Sequence, residues 1–302
     1  MILDLSELSA ADKQYYLQHV VAPRPICFAS TVDAEGNVNL SPFSFFNLFS
    51  TLPPVVVFSP ARRVRNNTVK HTLENIMQVP EVVINIVTYD MVQQTSLASC
   101  DYPKEIDEFV KSGFTKENAV KVKPPMVKES KAKLECKVLE VKSLGNEGGA
   151  GQLVICEVLC LHIDDSLLSE DKKIDQAKLE LVARLGGDWY CHVSKENLFK
   201  VAKPNVKLGI GFDALPESIR KSMILTGNQL GQLANFHELP FIQPSFDDDH
   251  VKNIIQYFSI NPSEMEKELH HYAARLLDEG KVDEAWQVLL VTESPLSPKG
   301  GT

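Results

Sequence analysis

Three arginines and a lysine fall within nine residues in the segment Ser59-Pro60-Ala61-Arg62-Arg63-Val64-Arg65-Asn66-Asn67-Thr68-Val69-Lys70-His71-Thr72. The whole chain carries 31 basic against 40 acidic residues, a net charge of −9, so this local positive excess calls for an anion. The segment runs into an expected helix over Thr72 to Val79. A helix N-terminus with Arg, Lys and Thr beside it is a ready cradle for a phosphate. The plain alternative is a solvated basic loop. A second segment, Asn39-Leu40-Ser41-Pro42-Phe43-Ser44-Phe45-Phe46-Asn47, sets small hydroxyls and amides beside three phenylalanines in a stretch broken by proline. Such a loop presents donors against a flat apolar wall, which suits a planar heteroaromatic ring. Side by side, the two segments favour a ligand that is both aromatic and phosphorylated.

Other chemistries find less support. The glycine-rich run Gly145 to Gly151 lacks the Lys-Ser/Thr of a P-loop and lies between two strands, and Gly209-Ile210-Gly211 has no third glycine at dinucleotide-binding spacing. There is no G-x-S-x-G nucleophile elbow. His162-Ile163-Asp164-Asp165 reads as a strand end entering a polar turn. His270 and His271 are adjacent on a helix and point in different directions, and no His-x-x-x-His pair exists, so no metal is expected. The aspartates of Phe246-Asp247-Asp248-Asp249-His250 lack calcium-loop spacing and read as a solvated turn or helix start. The six cysteines form no C-x-x-C pair and read as reduced thiols, mostly buried in strands; Cys156 and Cys160, four apart, are expected to share a strand face. No stretch approaches the roughly 20 apolar residues of a membrane helix, and Met1 to Ala11 has no basic region of a signal peptide. An acidic chain without further basic clustering does not suit nucleic acid.

The elements that must position these segments are β-rich over the first two thirds. Pro25 to Val32 and Val38 to Ser41 flank the turn residues Asp33-Ala34-Glu35-Gly36-Asn37, a hairpin pattern. Val55 to Phe58 and Val82 to Val87 are short apolar strands. Leu134 to Val141 and Leu153 to Ile163 form a long hairpin around the glycine run. Asp101 to Ser112 reads as a second helix. Short strands separated by turn signals suggest a closed barrel. After Lys203-Pro204 the pattern becomes helical. Thr226-x-x-Gln229 and Ser263-x-x-Glu266 are capping boxes, and the second opens a helix striped by Met265, Leu269, Tyr272, Leu276 and Leu277. Gly280 ends that helix, and Val282 to Val291 completes a helical hairpin.

Several motifs, in order, carry a family resemblance. Ala22-Pro23-Arg24-Pro25-Ile26, then Asp33-x-x-Gly36-Asn37-x-Asn39-Leu40-Ser41-Pro42-Phe43-Ser44, resembles the flavin reductase-like proteins of the FMN-binding split-barrel fold, which include flavoredoxin. Lys70-His71-Thr72-Leu73-Glu74-Asn75-Ile76 is similar to the family's Lys-Asp-Thr-x-x-Asn-Ile, with His71 in place of Asp. Leu153 to Asp165 is similar to its long strand ending in His-Ile/Val-Asp. Arg184-Leu185-Gly186-Gly187-Asp188-Trp189-Tyr190 is similar to its Arg-Leu-Gly-Gly-x-x-Tyr segment.

The resemblance implies an FMN-binding split β-barrel over residues 1–203; residues 204–302 fall outside it, and their own helical pattern, with a hairpin at about 263–291, makes the whole a mainly β fold with α: a split barrel followed by a C-terminal α-helical extension. It implies noncovalent FMN at a homodimer interface, with NAD(P)H as reductant and hydride passing through flavin N5; the cytoplasm is expected separately, from the unpaired thiols and the missing signal peptide. By analogy Ser41, Pro42, Ser44 and Asn47 line the isoalloxazine, and Ser59, Arg62, Lys70 and Thr72 hold the phosphate. Arg184, Gly186, Gly187 and Tyr190 lie where nicotinamide or substrate docks, the glycines letting a planar ligand approach the backbone. Catalysis then needs no side-chain nucleophile, because orientation and tuning of the ring are the protein's part. Two rival readings stay open: an FMN electron-transfer protein without its own NAD(P)H site, and an interaction module that uses the barrel as scaffold.

Overall fold

The structure, a computed structural model, describes residues 1–204 and 207–292, and the chain divides into two units, Met1–Phe199 and Lys200–Thr302. In the first unit, helix α1 (Ala10–Val20) is capped by Ser9, whose Oγ accepts from the Asp12 N–H at 3.1 Å. It is followed by β1 (Arg24–Pro25), β2 (Cys27–Val32), β3 (Val38–Phe43), β4 (Phe46–Thr51), β5 (Pro54–Phe58), α2 (His71–Gln78) and β6 (Glu81–Ile86). Then come α3 (Val92–Leu97), α4 (Glu108–Ser112), β7 (Lys116–Glu117), β8 (Met126–Val127), β9 (Ala132–Ser143), β10 (Gln152–Ile163), β11 (Leu181–Arg184) and β12 (Tyr190–Val193). Seven strands pair antiparallel in the order β3-β2-β6-β9-β10-β5-β4, and β1-β11-β12 form a separate three-stranded sheet.

The expected first hairpin is present. Asp33 accepts from the N–H groups of Glu35 (3.1 Å) and Asn37 (2.8 Å), and Gly36 takes the φ of +87° the turn demands. All six residues of β2 are buried, because its two faces serve two cores. Cys27 and Ala29 pack with Phe58, Ile84, Val154 and the α2 residues Leu73 and Ile76, while Phe28 faces Leu40, Phe109 and Val127.

The long β9–β10 hairpin also forms, with a detail the sequence hid. Val158 pairs with Cys136 and Cys160 with Glu135, so Leu159 is an extra residue on its strand. This bulge turns Cys160 onto the face opposite Cys156, and the expectation of a shared face is wrong. Cys156 is fully buried, as is Cys136, whose thiol burial pushes up to about 12. Two other expectations are corrected. Phe46 to Thr51, partly read as loop, is strand β4 paired with β5. Helix over 101–112 is confined to α4, because Asp107 caps it by accepting from the Phe109 N–H at 3.0 Å.

The second unit is helical: α5 (Glu217–Arg220), α6 (Gly227–Ala234), α7 (Asp249–Tyr257), α8 (Pro262–Asp278) and α9 (Val282–Leu290). The Thr226/Gln229 capping box is complete. The one placed at Ser263/Glu266 is not: Asn261 caps α8 by accepting from the Glu264 N–H, and Pro262 occupies the first helical position, where its missing N–H costs nothing. Asp248 caps α7 through the N–H groups of His250 and Val251, so the aspartate run is a helix start. Gly280, at φ +77°, closes α8 with Lys281 N–H bonded to Leu276 O and Gly280 N–H to Leu277 O. Leu269, Leu276 and Leu277 of the expected stripe join Trp286 and Leu289 in one apolar core. Residues 205–206 and 293–302 of the expected extension lie outside the described residues.

Candidate functional site

Three cavities lie along the first unit and share walls. The largest, about 790 Å³, is bounded by Pro42, Phe43, Ser44 and Phe45 at the β3–β4 turn, by Ser59, Arg62, Arg63 and Lys70, by Gly148 and Gly149, and by Lys13, Gln14 and Leu17 of α1. The second, about 440 Å³, shares Gln14, Gln18, Arg24, Pro42, Phe43, Ser44 and Lys70 with the first and adds Ser96, Ser99, Arg184 and Tyr190. The third, about 400 Å³, shares Ser96, Arg184 and Tyr190 with the second and extends to Tyr89, Asp188 and His192. The shared walls make a trough with an aromatic and basic end and a far end under β11 and β12.

The basic end is tightly braced. The Arg62 N–H donates to Ala150 O and the Gly149 N–H to Arg62 O, both at 2.9 Å, pinning the basic segment to the glycine-rich turn. A Cβ at Gly148 would stand 2.9 Å from Val64 O, so glycine is required for that approach. The turn between β9 and β10, featureless as a phosphate motif, thus forms a cavity wall. Arg62 itself donates through Nε to Asn67 Oδ1 at 2.7 Å. Arg63 Nε and Lys70 Nζ both reach Asp101 Oδ1, at 3.2 and 3.1 Å, and Arg65 pairs with the same carboxylate. Burial would raise the Asp101 carboxyl, but the hydrogen bonds from Lys70 and Arg63 outweigh it and hold it below its usual range.

The residues singled out from the sequence divide. Pro42, Ser44, Ser59, Arg62 and Lys70 line the largest cavity. Ser41 and Thr72 do not; they border a crevice of about 10 Å³ beside Lys70. Thr72 is almost wholly buried and its Oγ1 donates to Asn39 Oδ1 at 2.6 Å. Asn39 Nδ2 in turn donates to the buried Glu108, whose other oxygen accepts from the Leu40 N–H. Burial raises the Glu108 carboxyl against the pull of those bonds. Thr72 therefore ties α2 to β3, and its hydroxyl is not offered to a ligand. Asn47 lies on β4 with an exposed side chain that accepts from its neighbour's Leu48 N–H. His71, at the start of α2, borders the same crevice, and burial lowers its pKa.

At the far end Arg184 and Tyr190 line the cavities, the guanidinium 4.5 Å from the Tyr190 ring centre. Gly186 and Gly187 line none of the three cavities. The reason for Gly186 is internal: a Cβ there would stand 2.3 Å from His19 Cδ2, so the α1 imidazole occupies the space that the resemblance gave to a planar ligand. His19 is fixed by its Nδ1 contact with Tyr15 O at 2.6 Å.

The sequence marks no site role for Arg24. It is 7% exposed, and Nη1 donates to Gln18 O and Val21 O while Nη2 donates to Leu185 O. It locks the end of α1 to the β11–β12 hairpin and forms part of the cavity wall. Only its partners, far apart in sequence, reveal this. Glu135, Cys160 and His162 also converge, though no sequence spacing marks them. Glu135 accepts from the N–H groups of Val120, Lys121 and Val122 and from His162, so its oxygens are spent on holding a loop. That leaves poor lone-pair capacity for a metal ion.

The model of the flavin reductase-like domain family matches residues 20–178. An uncharacterised protein of Aquifex aeolicus is 33% identical over 182 residues, 60% of this chain and 90% of the relative. Nitrilotriacetate monooxygenase component B from Bacillus cereus superposes with a TM-score of 0.62 at 25% identity, covering 67% of this chain and 98% of that one. A split-barrel-domain protein from Shewanella frigidimarina gives 0.57 at 28% identity, covering 67% of this chain and all of its own. The trough is therefore cut into a split barrel of flavin-related redox proteins, and this chain belongs to the flavin reductase-like family.

Proposed function

We propose that the first unit binds FMN noncovalently and acts as an NAD(P)H-dependent flavin oxidoreductase. The observation that carries this reading is the continuity of the trough. Its roomy end joins an aromatic wall, Phe43 and Phe45, to the cations Arg62, Arg63 and Lys70. That donor set fits a phosphate ester carrying a planar ring, and the volume lies within the usual range for a cofactor site. Pro42 and Ser44 would face the ring, and Ser59, Arg62, Arg63 and Lys70 the phosphate. Ser41, Thr72 and Asn47 are left with supporting roles. Bound FMN supplies two-electron redox chemistry, while the chain's own residues bind and orient the reactants. The second and third cavities provide room beside that site for a reductant or acceptor, with Arg184 and Tyr190 on the wall. The six free thiols suit a reducing compartment, the cytoplasm.

A two-fold homodimer is part of the proposal. Edge strand β4 exposes Leu48 and Phe49, and α1 exposes Tyr15, Leu17 and Val20 beside the largest cavity. Such apolar patches are the expected substance of an isologous interface. Light scattering at micromolar concentration is expected to give a dimer. The decisive experiment for the activity is an absorption spectrum of the FMN-loaded protein before and after anaerobic NADH or NADPH. Rapid bleaching is the expected result. A flavin-loaded protein that neither nucleotide bleaches is an electron carrier, and a protein that ignores FMN refutes the flavin reading.

A further inference from the structure

Arg24 and Arg184 are directly opposed across the β1–β11 ladder. Like charges in that relation repel, so a cross-strand arginine pair needs a reason. Their partners are all uncharged: backbone carbonyls and the Ser44 hydroxyl for Arg24, the Gly187 carbonyl and the Tyr190 ring for Arg184. Burial, then the nearby Arg184, lowers the Arg24 pKa, a sign that the pair is felt as a strain in charge. Both line the 440 Å³ second cavity together with Lys70, and among the described residues no carboxylate lines it. Lys70 already faces Asp101, which borders the crevice beside it, and Asp188 belongs to the third cavity. Arg24 is immobile, most of its N–H groups being held by carbonyls. Arg184 is half-buried, and among the described residues its fork has one hydrogen bond, from Nη2 to Gly187 O. Ser96 and Ser99 add hydroxyls to the same chamber.

We propose that the chamber between the Arg24–Arg184 pair and the serines of α3 and its end binds an oxyanion of the second reactant, a phosphoryl or carboxylate group. The inference rests on the flavin reading for the word second. Arg184 is the contacting group, because its planar fork can meet two oxygens at once, and Arg24 supplies fixed charge behind it. The oxyanion can come from a dinucleotide's pyrophosphate or from a carboxylate-bearing substrate, and the chemistry at Arg184 is the same.

The test is calorimetric titration of the full-length protein, with and without FMN, using inorganic pyrophosphate and benzoate as separate probes. FMN binding is measured first and by itself, so failure of the flavin reading is seen independently. Arg184→Gln is expected to weaken at least one probe about tenfold or more, the loss of a charge-assisted hydrogen bond. Arg184→Lys keeps charge but not the fork, and is expected to fall between the two. Loss confined to pyrophosphate identifies a dinucleotide source, and loss confined to benzoate a carboxylate substrate. Equal binding of both probes by wild type and Arg184→Gln, or displacement of FMN by the probe, overturns the proposal. Binding that depends on Arg184 in a protein that takes no FMN keeps the chamber and removes only the flavin.

Discussion

In the barrel unit Arg24, Asn39, Thr72, Glu108 and Glu135 are buried, and each is hydrogen-bonded to a segment distant in sequence. In the helical unit the core is led by Trp286, Leu233, Leu269, Leu277 and Ile219. The buried polar residues there act as simple clasps: Gln287 accepts from the Gln243 N–H and donates to Phe241 O. Burying polar groups is costly unless every one finds its partner, but a satisfied network admits few alternative arrangements. An apolar core stabilises more per residue and specifies less. The contrast teaches where each unit's sequence is committed: in the barrel unit to the placement of loops around a trough, in the helical unit to burial itself.

The largest expected effect falls on the helical side. Trp286 is fully buried, and Trp286→Ala is expected to cost about 3–5 kcal/mol in that unit. Flavin affinity should not change. Urea unfolding followed by circular dichroism, alongside a flavin titration at low urea, measures both. A chain ending near residue 200 should likewise keep its flavin. Loss of flavin in step with the helical unit would break the comparison, since the site would then depend on both cores.

Next comes the phosphate end of the trough. Lys70→Ala should weaken FMN by about tenfold or more and leave riboflavin nearly untouched, because a charge-assisted bond of about 1.5–3 kcal/mol is lost only where a phosphate is present. Fluorescence titration with the two flavins measures the ratio. Equal loss for both would mean that Lys70 serves the fold through Asp101, and the cradle would have to be redrawn around Arg62.

Much of the architecture was legible because local chemistry and tertiary packing agree. The turn at Asp33–Asn37, the β9–β10 hairpin, the Thr226 box and the Gly280 stop are each written in a few adjacent residues. Helix α1 was missed because it buries none of its residues and so shows no core-facing stripe. The Asn261 cap was displaced by a better-looking box two residues later, although Pro262 marks the true start. In the site, residue type was readable but direction was not. Lys70 and Thr72 are two apart, yet Lys70 lines the cavity with its amine on Asp101 while the Thr72 hydroxyl turns inward to Asn39. Gly186 was read as room for a ligand, and the chain fills that room with His19. Such facts depend on contacts across 30 to 170 positions of sequence, which no motif carries.

The smallest effect expected is also the one that separates the two styles of burial most finely. Asp101 gathers Arg63, Arg65 and Lys70, but its side chain is 32% exposed, so solvent and salt screen the attraction. Its carboxyl is held below the ordinary value of 3.8 by the hydrogen bonds that overcome burial. A depressed carboxyl contributes stability above its unfolded-state pKa and loses it as pH falls through the lower folded-state value, because the unfolded chain takes up the proton first. Asp101→Asn is therefore expected to cost about 1 kcal/mol or less near neutrality, and the gap to wild type should close on acidification below the ordinary carboxylate range. Urea midpoints of the two proteins across that pH range measure the gap, and high salt should narrow it at neutral pH. A gap that widens as the carboxylate is protonated would show that Asp101 burdens the cation cluster, and its place in the barrel unit would be that of a rival to the phosphate.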